Sequence, residues 1–306
     1  LFMWIPAFIV GAFAVGMGYG VATPAASQLL ARTIAPEQRG FIFSIKQSGV
    51  PIGGFLLGVT VPVIAFHNSW QYGLLTIIFL LLLLILILQL IRNLFDTGLE
   101  KNRKISPAET VAAVKLAIRD SRLRPLALSS FIYAMMQLSI FTFYVVVLVE
   151  QVNLDPVTAG TVFSIMHVGG IVGRPLLGWI SDKILPAVPL LSLVGFAIFL
   201  CGLALAALSA DWPYLLLCAT SFIAGVVAAG WNGVYISEIA RVMPSADVGR
   251  ATGGVSAFTF LGVVIGPAAF TTIVGFSGSY SIAFLVVGTI AIGPAIILLL
   301  QYFNQK

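Results

Sequence analysis

Long apolar runs of about 20 residues recur from one end of the chain to the other, and short polar segments separate them. A helix of this length is needed to cross a bilayer. The run from Leu74 to Leu90 shows no alternation of polar and apolar positions, which argues against a transmembrane β-barrel. The pattern predicts nine membrane-spanning helices, at residues 4–31, 41–66, 71–92, 126–149, 157–180, 187–209, 212–238, 251–275 and 279–301.

The composition narrows the fold class. Hydrophobic residues make up 59% of the chain and charged residues 9%, whereas soluble domains carry roughly 25% charged residues. Such a chain cannot cover a water-facing surface. We therefore predict an all-α integral membrane protein whose surroundings are the lipid bilayer.

The basic residues predict the orientation. All 16 Lys and Arg residues fall on or near one side of the predicted spans. The loops of the opposite side contain His67 and acidic residues but no Lys or Arg. The basic side of a membrane protein faces the cytoplasm, so we expect a cytoplasmic C-terminus in a plasma membrane, such as a bacterial inner membrane. The net charge of +5 is then a topological signal, and no nucleic-acid partner is expected.

The start of the chain is unusual for a membrane protein. Leu1 lies inside an apolar run, with neither an initiator Met nor the basic segment of a signal peptide before it. With nine spans and an inside C-terminus, residue 1 would lie outside. The sequence therefore leads us to expect that N-terminal spans are missing, either because the chain is a fragment or because it is truncated.

Residues 93–124 form the one long connection between spans, and they are strongly basic. Within them, Ser106, Pro107 and Glu109 match a capping box with proline at the first helical position. A helix over 107–121 would place Val111, Val114 and Ile118 on one face and Lys115, Arg119 and Arg122 on the other. We expect an amphipathic helix on the cytoplasmic membrane surface; a disordered basic loop is the alternative.

Two parts of the chain repeat each other. The segment 30–40 and the segment 239–250 both carry Ala-Arg at the end of a span, then a proline, then an arginine that begins a glycine-rich span. The offset covers six spans. Two six-span halves joined by a cytoplasmic linker are the layout of a large class of transporters, and this layout implies three further spans before residue 1.

Several short motifs resemble the major facilitator superfamily over essentially the whole chain. Gly178 to Lys183 resembles the signature loop of that family between spans eight and nine, Pro36 to Gly40 its loop between spans four and five, and Ser69 to Tyr72 the start of span six. The resemblance implies a two-bundle fold. Residues 1–92 would form a partial N-terminal bundle, 93–124 the linker and 125–306 a six-helix C-terminal bundle.

No motif in the sequence indicates an enzyme. The chain lacks HExxH, CxxC, phosphate-binding glycine and GxSxG patterns. Cys201 and Cys218 lie in apolar spans, where small core residues are expected rather than a metal site or a disulfide. We therefore predict no enzymatic activity, no cofactor and no metal.

Polar and aromatic residues inside predicted spans are candidates for a substrate cavity, because ionisable groups are costly in a membrane. Lys46 could favour an anionic substrate or extend to the headgroups. His167 could carry a proton or contact substrate, or it could be a neutral core residue. Helix–helix hydrogen bonding is the alternative for the remaining residues. The candidates are Lys46, Gln47, Tyr133, Gln137, His167, Trp231 and Asn232; by the resemblance, their spans line the central cavity.

The stretch from Gly169 to Lys183 contains the second set of candidates. Gly169 and Gly173 are spaced for close helix packing, Gly178 permits a close approach, and Asp182 can accept hydrogen bonds from a neighbouring helix N-terminus. We expect a charge network at the cytoplasmic end that opens and closes during transport. Its predicted members are Arg174, Gly178, Asp182, Lys183, Glu238 and Arg241. A simple charged turn is the alternative.

Together these features predict a secondary transporter of a small solute that works by alternating access as a monomer, with an organic anion suggested by Lys46 and a coupled proton as a further option. A drug or metabolite efflux antiporter is the alternative within the same fold. The run Gly49 to Gly54 argues against this antiporter alternative, because the run lacks the adjacent Gly-Pro that many antiporters of the family carry. A membrane receptor or sensor without transport is the alternative of another class.

Overall fold

The computed structural model describes residues 5–67, 70–94 and 106–304, and this part of the chain is helical with no strand. Residues 95–105 of the predicted linker, and Ser69 of the span-six motif, lie outside it. The helices are α1 Ile5–Thr33, α2 Arg39–His67, α3 Trp70–Leu90, α4 Pro107–Arg119, α5 Leu123–Glu150, α6 Pro156–Lys183, α7 Ala187–Ala206, α8 Tyr214–Val242, α9 Val248–Ser277, α10 Tyr280–Ile290 and α11 Ile292–Asn304.

A helix occupies the place of every predicted span. By length and composition, eight segments of the described residues could cross a membrane, with α10 and α11 together forming one of them. The helix α2 occupies the place of the remaining predicted span and, with 29 residues, is as long as α1. The predicted all-α membrane fold is confirmed.

The last predicted span is two helices rather than one. The helix α10 ends at Ile290, and the backbone N–H of Ala291 turns back to the carbonyl of Gly288 at 3.1 Å. Pro294 has no N–H to donate to the carbonyl of Ile290. The proline therefore explains why the regular hydrogen-bond ladder stops here and resumes in α11.

The helix α6 begins with an N-cap residue, Asp155, followed by a proline at the first helical position. The side chain of Asp155 accepts hydrogen bonds from the backbone N–H groups of Val157 at 3.0 Å and Thr158 at 3.1 Å, ahead of Pro156 at the first helical position. Hydrogen bonds from Thr158 hold the pKa of this exposed carboxyl below its usual range. Asp155 thus fixes the end of α6 that lies away from the basic residues.

Glycines allow the helices of the C-terminal half to pack backbone against backbone. A Cβ added to Gly169 or Gly173 would collide with the backbone of α8 at Phe222 or Val226. A Cβ on Gly262 or Gly266 would collide with the backbone of α5. The close approach predicted for Gly169 and Gly173 is therefore present, and it holds α6 against α8.

The helix α4 lies against α9 and begins at the predicted cap. The Ser106 side chain accepts a hydrogen bond from the backbone N–H of Ala108 at 3.2 Å. Ala113 and Ala117 are buried against α9, and Gly254 of α9 has no room for a Cβ beside the Ala113 carbonyl. The predicted apolar stripe is turned differently, because Val111 and Ile118 remain 53% and 50% exposed.

A charged pair connects the end of α4 to α8. Arg122 Nη2 lies 2.9 Å from Asp120 Oδ2, and Arg122 Nη1 donates to the carbonyl of Val242, the last residue of α8, at 2.8 Å. The hydrogen bond from Arg122 keeps the pKa of Asp120 below its usual range. The pair fixes the linker to the C-terminal half on the basic side of the molecule.

The helices before the linker contact the second half unevenly. The helix α2 packs on α6 and α8, α1 packs on α9, and α3 packs mainly on α2. Residues 5–22 of α1 are all exposed, whereas Thr23, Ser27 and Ala31 are buried. The buried contacts of α1 with the second half therefore lie toward the basic end.

Candidate functional site

A cavity of about 210 Å³ lies where the two halves meet. It combines six polar side chains, from Tyr19, Gln47, Gln137, Arg174, Asn232 and Thr259, with apolar and aromatic ones from Val50, Ala134, Leu138, Trp231, Phe260 and Val263. Four of the predicted cavity residues are among them: Gln47, Gln137, Trp231 and Asn232. Such a mixture of an apolar wall and a few polar groups is typical of small-molecule sites.

Two cations converge on Gln47. Lys46 Nζ donates to the side-chain Oε1 of Gln47 at 2.9 Å, and it lies 3.5 Å from Thr23 Oγ1 of α1. Arg174 Nη1 donates to the backbone carbonyl of Gln47, while Arg174 Nε donates to the carbonyl of Ala229 at 3.0 Å. Arg174 thus connects α6 to α8 and, across the interface between the halves, to α2.

Pro51 explains why the Gln47 carbonyl is open to Arg174. In an α-helix this carbonyl would accept a hydrogen bond from the N–H of the residue four positions later. That residue is Pro51, which has no N–H. The carbonyl of Gln47 is therefore left to a donor from outside the helix, and Arg174 is that donor.

Arg174 was expected in the cytoplasmic charge network, but the structure places its side chain apart from the other predicted members. It is eight residues from Asp182 on α6, about 12 Å at 1.5 Å per residue. Long helical side chains also lean toward the helix N-terminus, which carries the guanidinium further from the basic end. The Arg174 side chain is 3% exposed and belongs to the cavity.

The cavity wall carries positive charge without a matching acid. Neither Arg174, which lines the cavity, nor Lys46, which lies behind Gln47 and outside the lining, makes an ion pair with a carboxylate among the residues that the structure describes. A buried cation without a counter-ion is costly. The wall is therefore suited to a ligand that brings a negative charge.

Asn232 and Gln137 join the two helices on the far wall of the cavity. Asn232 Nδ2 donates to Gln137 Oε1 at 3.1 Å and to the Ala229 carbonyl at 3.1 Å. Trp231 is fully buried, and its indole N–H donates to the Ala228 carbonyl at 2.9 Å. These side chains give the cavity polar groups whose positions are set by contacts between helices.

Tyr133 does not line this cavity, although it precedes Gln137 by one turn. Its ring is fully buried edge-on to Trp231, with 5.8 Å between ring centroids, and its hydroxyl donates to the Leu191 carbonyl of α7 at 2.8 Å. Gly195 makes room for it, because a Cβ there would collide with the hydroxyl. Tyr133 therefore supports the site from behind.

Tyr133→Phe should lower stability without changing ligand affinity. Loss of a buried hydroxyl leaves the Leu191 carbonyl without its partner, which costs about 1 to 2 kcal/mol. We expect a lower thermal unfolding midpoint in detergent and a dissociation constant within twofold of the wild type. A much weaker dissociation constant with an unchanged midpoint would mean that Tyr133 contacts the ligand after all.

His167 also lies away from the cavity lining, beside two aromatic rings. It stacks on Phe141 of α5 with 5.2 Å between centroids and an interplanar angle of 3°, and it meets Phe163 edge-on at 4.6 Å. Its Nδ1 is buried and has no hydrogen-bond partner among the described residues. His167 precedes Arg174 by two helical turns, on the side away from the basic end.

The basic end is closed by Asp182. Its Oδ1 and Oδ2 accept hydrogen bonds from the backbone N–H groups of Gly40 and Phe41, each at 2.8 Å. These groups belong to the first turn of α2, where unpaired N–H groups and the helix dipole attract an anion. Gly178 has no room for a Cβ beside Gly40 and Ser44. Both contacts agree with the roles that the sequence suggested for Asp182 and Gly178.

The other predicted network residues surround the same place. Asp182, Lys183, Glu238 and Arg241 line a cleft of about 320 Å³ at the basic end. Glu238 and Arg241 pair with each other, both contacts being 2.6 Å, and the pair lies within α8. The pair does not cross between the halves, because the side chains are one turn apart on the same helix.

Two residues that cross the interface were missed from the sequence. Arg39 donates to the Ala240 carbonyl at 2.8 Å and to the Ala31 carbonyl at 3.0 Å. Gln28 accepts a hydrogen bond from the backbone N–H of Gly249 at the start of α9 and donates to the Ser245 carbonyl. Arg39 belongs to the repeated loop motif, so the repeat was a usable signal, whereas Gln28 had none.

A helical membrane protein with two halves, a cavity between them and a contact that closes one end has the architecture of a secondary transporter. The chain belongs to the Major Facilitator Superfamily, whose family model matches residues 1–237. It is therefore a transporter of small solutes and not an enzyme. Family membership confirms the resemblance that the loop motifs indicated.

Curated relatives and a solved structure agree with this assignment. The chain is similar to the hexuronate transporter of Bacillus subtilis, with 24% identity over 90% of this chain and 68% of that protein. It is also similar to the 3-(3-hydroxy-phenyl)propionate transporter of Escherichia coli, with 26% identity over 86% of this chain and 63% of that protein.

The chain thus spans about two thirds of the length of these two relatives. One solved structure with a similar fold is that of a bacterial homologue of the iron transporter ferroportin in an outward-facing state. It has a TM-score of 0.59 and 15% identity, with 91% of this chain and 67% of that chain covered. At this identity the likeness concerns the fold.

Proposed function

We propose that the protein transports a small organic anion by alternating access. The observation that carries this proposal is the convergence of Lys46 and Arg174 on Gln47 without a carboxylate partner among the described residues. A carboxylate accepts paired hydrogen bonds from a guanidinium better than a neutral carbonyl does. The names of both relatives refer to organic acids, which supports the same ligand class.

The proposed orientation puts the basic end in the cytoplasm of a bacterial cell, with the C-terminus inside. The concentration of Lys and Arg at this end supports it. The contacts of Asp182 and Gly178 with α2 then close the cytoplasmic side. Transport would require these contacts to break when the protein opens inward.

In this proposal the anion acts on Arg174. In the structure, the guanidinium of Arg174 is bound to the Gln47 carbonyl of the other half. An arriving carboxylate would compete with that carbonyl for the same N–H groups. Ligand binding would thereby loosen a contact between the halves from within the cavity.

Proton coupling is assigned to His167 in this proposal. No acidic residue of the sequence lies in the middle of a predicted span, whereas His167 lies near the middle of α6, and its Nδ1 has no hydrogen-bond partner among the described residues. The rings in contact with it, Phe141 and Phe163, are apolar. The cavity lies within one chain, which supports a monomer as the working unit.

Uptake by cells that express the complete reading frame tests the proposal. We expect a panel of radiolabelled organic acids to include a transported anion, and a protonophore to abolish its accumulation. His167→Gln should reduce accumulation far more than exchange of labelled for unlabelled anion, because exchange needs no net proton transfer. A substrate whose accumulation survives the protonophore would contradict proton coupling but not anion transport.

The same assay separates the alternatives. Ligand binding without flux in proteoliposomes would indicate a sensor. Export of apolar compounds, with no uptake of any acid, would indicate an efflux antiporter and would overturn the role given to Lys46 and Arg174.

A further inference from the structure

We propose that the ligand carries an aromatic ring as well as a carboxylate, and that the rings of Phe141, Phe163 and His167 bind it. This proposal rests on the proposed transport of an organic anion and specifies its chemical class, an arylalkanoate. The three rings are called the aromatic cluster below.

The aromatic cluster joins two helices of the C-terminal half at the level just beyond the cavity. Phe141 and His167 are stacked nearly parallel, and Phe163 stands edge-on to both at 6.2 Å and 4.6 Å. Each of the three residues is partly exposed, in contrast to the fully buried rings of the bundle core. The cluster therefore presents aromatic surface outside the core.

Helical spacing places the cluster on the same side as the cavity. Phe141 follows the cavity residue Gln137 by four positions on α5, and His167 precedes the cavity residue Arg174 by seven positions on α6. Residues four or seven apart share one helix face. Because α5 and α6 run in opposite directions, both steps lead away from the basic end, and the two side chains meet there.

The cavity itself already holds aromatic side chains from both halves. Tyr19 and Phe260 line it and approach each other edge-on, with 5.7 Å between ring centroids. A ligand whose carboxylate lies at Arg174 could therefore extend its ring toward the aromatic cluster, on the side of the cavity away from the basic end.

The spacing determines how the ring and the carboxylate are connected. Seven residues correspond to about 10 Å along α6, and the lean of the Arg174 side chain toward the helix N-terminus shortens the gap. A carboxylate attached directly to the ring could not contact both places. A chain of two or three carbons between ring and carboxylate could.

Aromatic pairs gain attraction beyond the area that they bury, whereas a saturated ring of similar size gains only the burial. The matched ligands are therefore 3-phenylpropionate and 3-cyclohexylpropionate. We would measure binding of both to the purified protein in lipid nanodiscs by calorimetry. We expect phenylpropionate to bind about threefold to tenfold more tightly.

The variant Phe141→Leu should remove this preference while leaving cyclohexylpropionate affinity within about twofold. Phe143→Leu is the matched control. It lies on the same helix and is also stacked, but on Phe270 with 4.8 Å between centroids, a fully buried residue of the core. The control should keep the wild-type ratio of the two affinities.

Each result decides the proposal. Equal affinities for the two ligands in the wild type, or an unchanged ratio in a folded Phe141→Leu protein, would overturn it. If both ligands bind equally and Arg174→Ala weakens the binding of both, Arg174 recognises the anion but the aromatic cluster does not bind the ring. If neither carboxylate binds while another organic acid of the panel is transported, the arylalkanoate proposal is overturned and the proposed transport of an organic anion is kept. The wild-type ratio needs no variant, so a misfolded mutant cannot obscure the answer.

Discussion

Replacing Arg174 by alanine is expected to weaken organic anion binding about a hundredfold. Removing one partner of a buried, hydrogen-bonded charge pair costs about 2 to 5 kcal/mol, and Arg174 is the buried cation of the cavity wall. Calorimetry or competition binding in nanodiscs would measure the change. Uptake should fall below detection at substrate concentrations that half-saturate the wild type.

The controls separate recognition from folding. Arg174 also bonds the Ala229 and Gln47 carbonyls, so thermal unfolding of each variant must be recorded. Arg32→Gln removes an exposed cation from the basic end and should bind normally. Arg174→Lys keeps the charge but loses the planar fork, so we expect an intermediate affinity. A folded Arg174→Ala protein with wild-type affinity would exclude the proposed anion site.

Neutralising Asp182 is the second large change, and it should act on rate rather than affinity. Asp182→Asn loses the charge that faces the first turn of α2 and weakens two hydrogen bonds at 2.8 Å. Contacts of this kind are worth about 1 to 2 kcal/mol, which shifts the balance of closed and open states about tenfold. We expect turnover to fall by a similar factor while the dissociation constant changes less than threefold.

The matched control for this variant is Asp211→Asn at the opposite end. Asp211 is exposed, and its side chain contacts Ser209 in the same turn. Its turnover should equal that of the wild type. Normal turnover in Asp182→Asn would mean that the contact with α2 is only structural. A large loss of affinity would place Asp182 in the binding step instead.

The sequence predicted the helices well because a membrane span carries its signal within about 20 consecutive residues. The break at Ala291 was missed, although Pro294 was visible, because prolines in spans are often tolerated without a break. Gly178 and Asp182 were assigned suitable roles because a loop motif and a helix terminus interact through local geometry. Such features depend little on the rest of the fold.

The candidate cavity was harder to predict. Gln47, Gln137, Trp231 and Asn232 were found because polar and aromatic groups inside a span are conspicuous. Tyr133 is likewise an aromatic residue with a polar group inside a span, yet its hydroxyl donates to a carbonyl of α7. The direction of this side chain depends on how three helices pack together. Arg174 was expected near the cytoplasmic end because it lies late in its span, but long helical side chains lean toward the helix N-terminus, which here carries the guanidinium into the cavity.

Pro51 has a consequence for energetic coupling in the proposed transporter. By leaving the Gln47 carbonyl free, it gives the empty protein an internal competitor for the guanidinium that an anion would need. The contact between the halves at Gln47 and occupation of the cavity by an anion then draw on one donor, so each disfavours the other by the same factor. A conformation that releases the Gln47 carbonyl would bind the anion more tightly, and the bound anion would in turn favour that conformation.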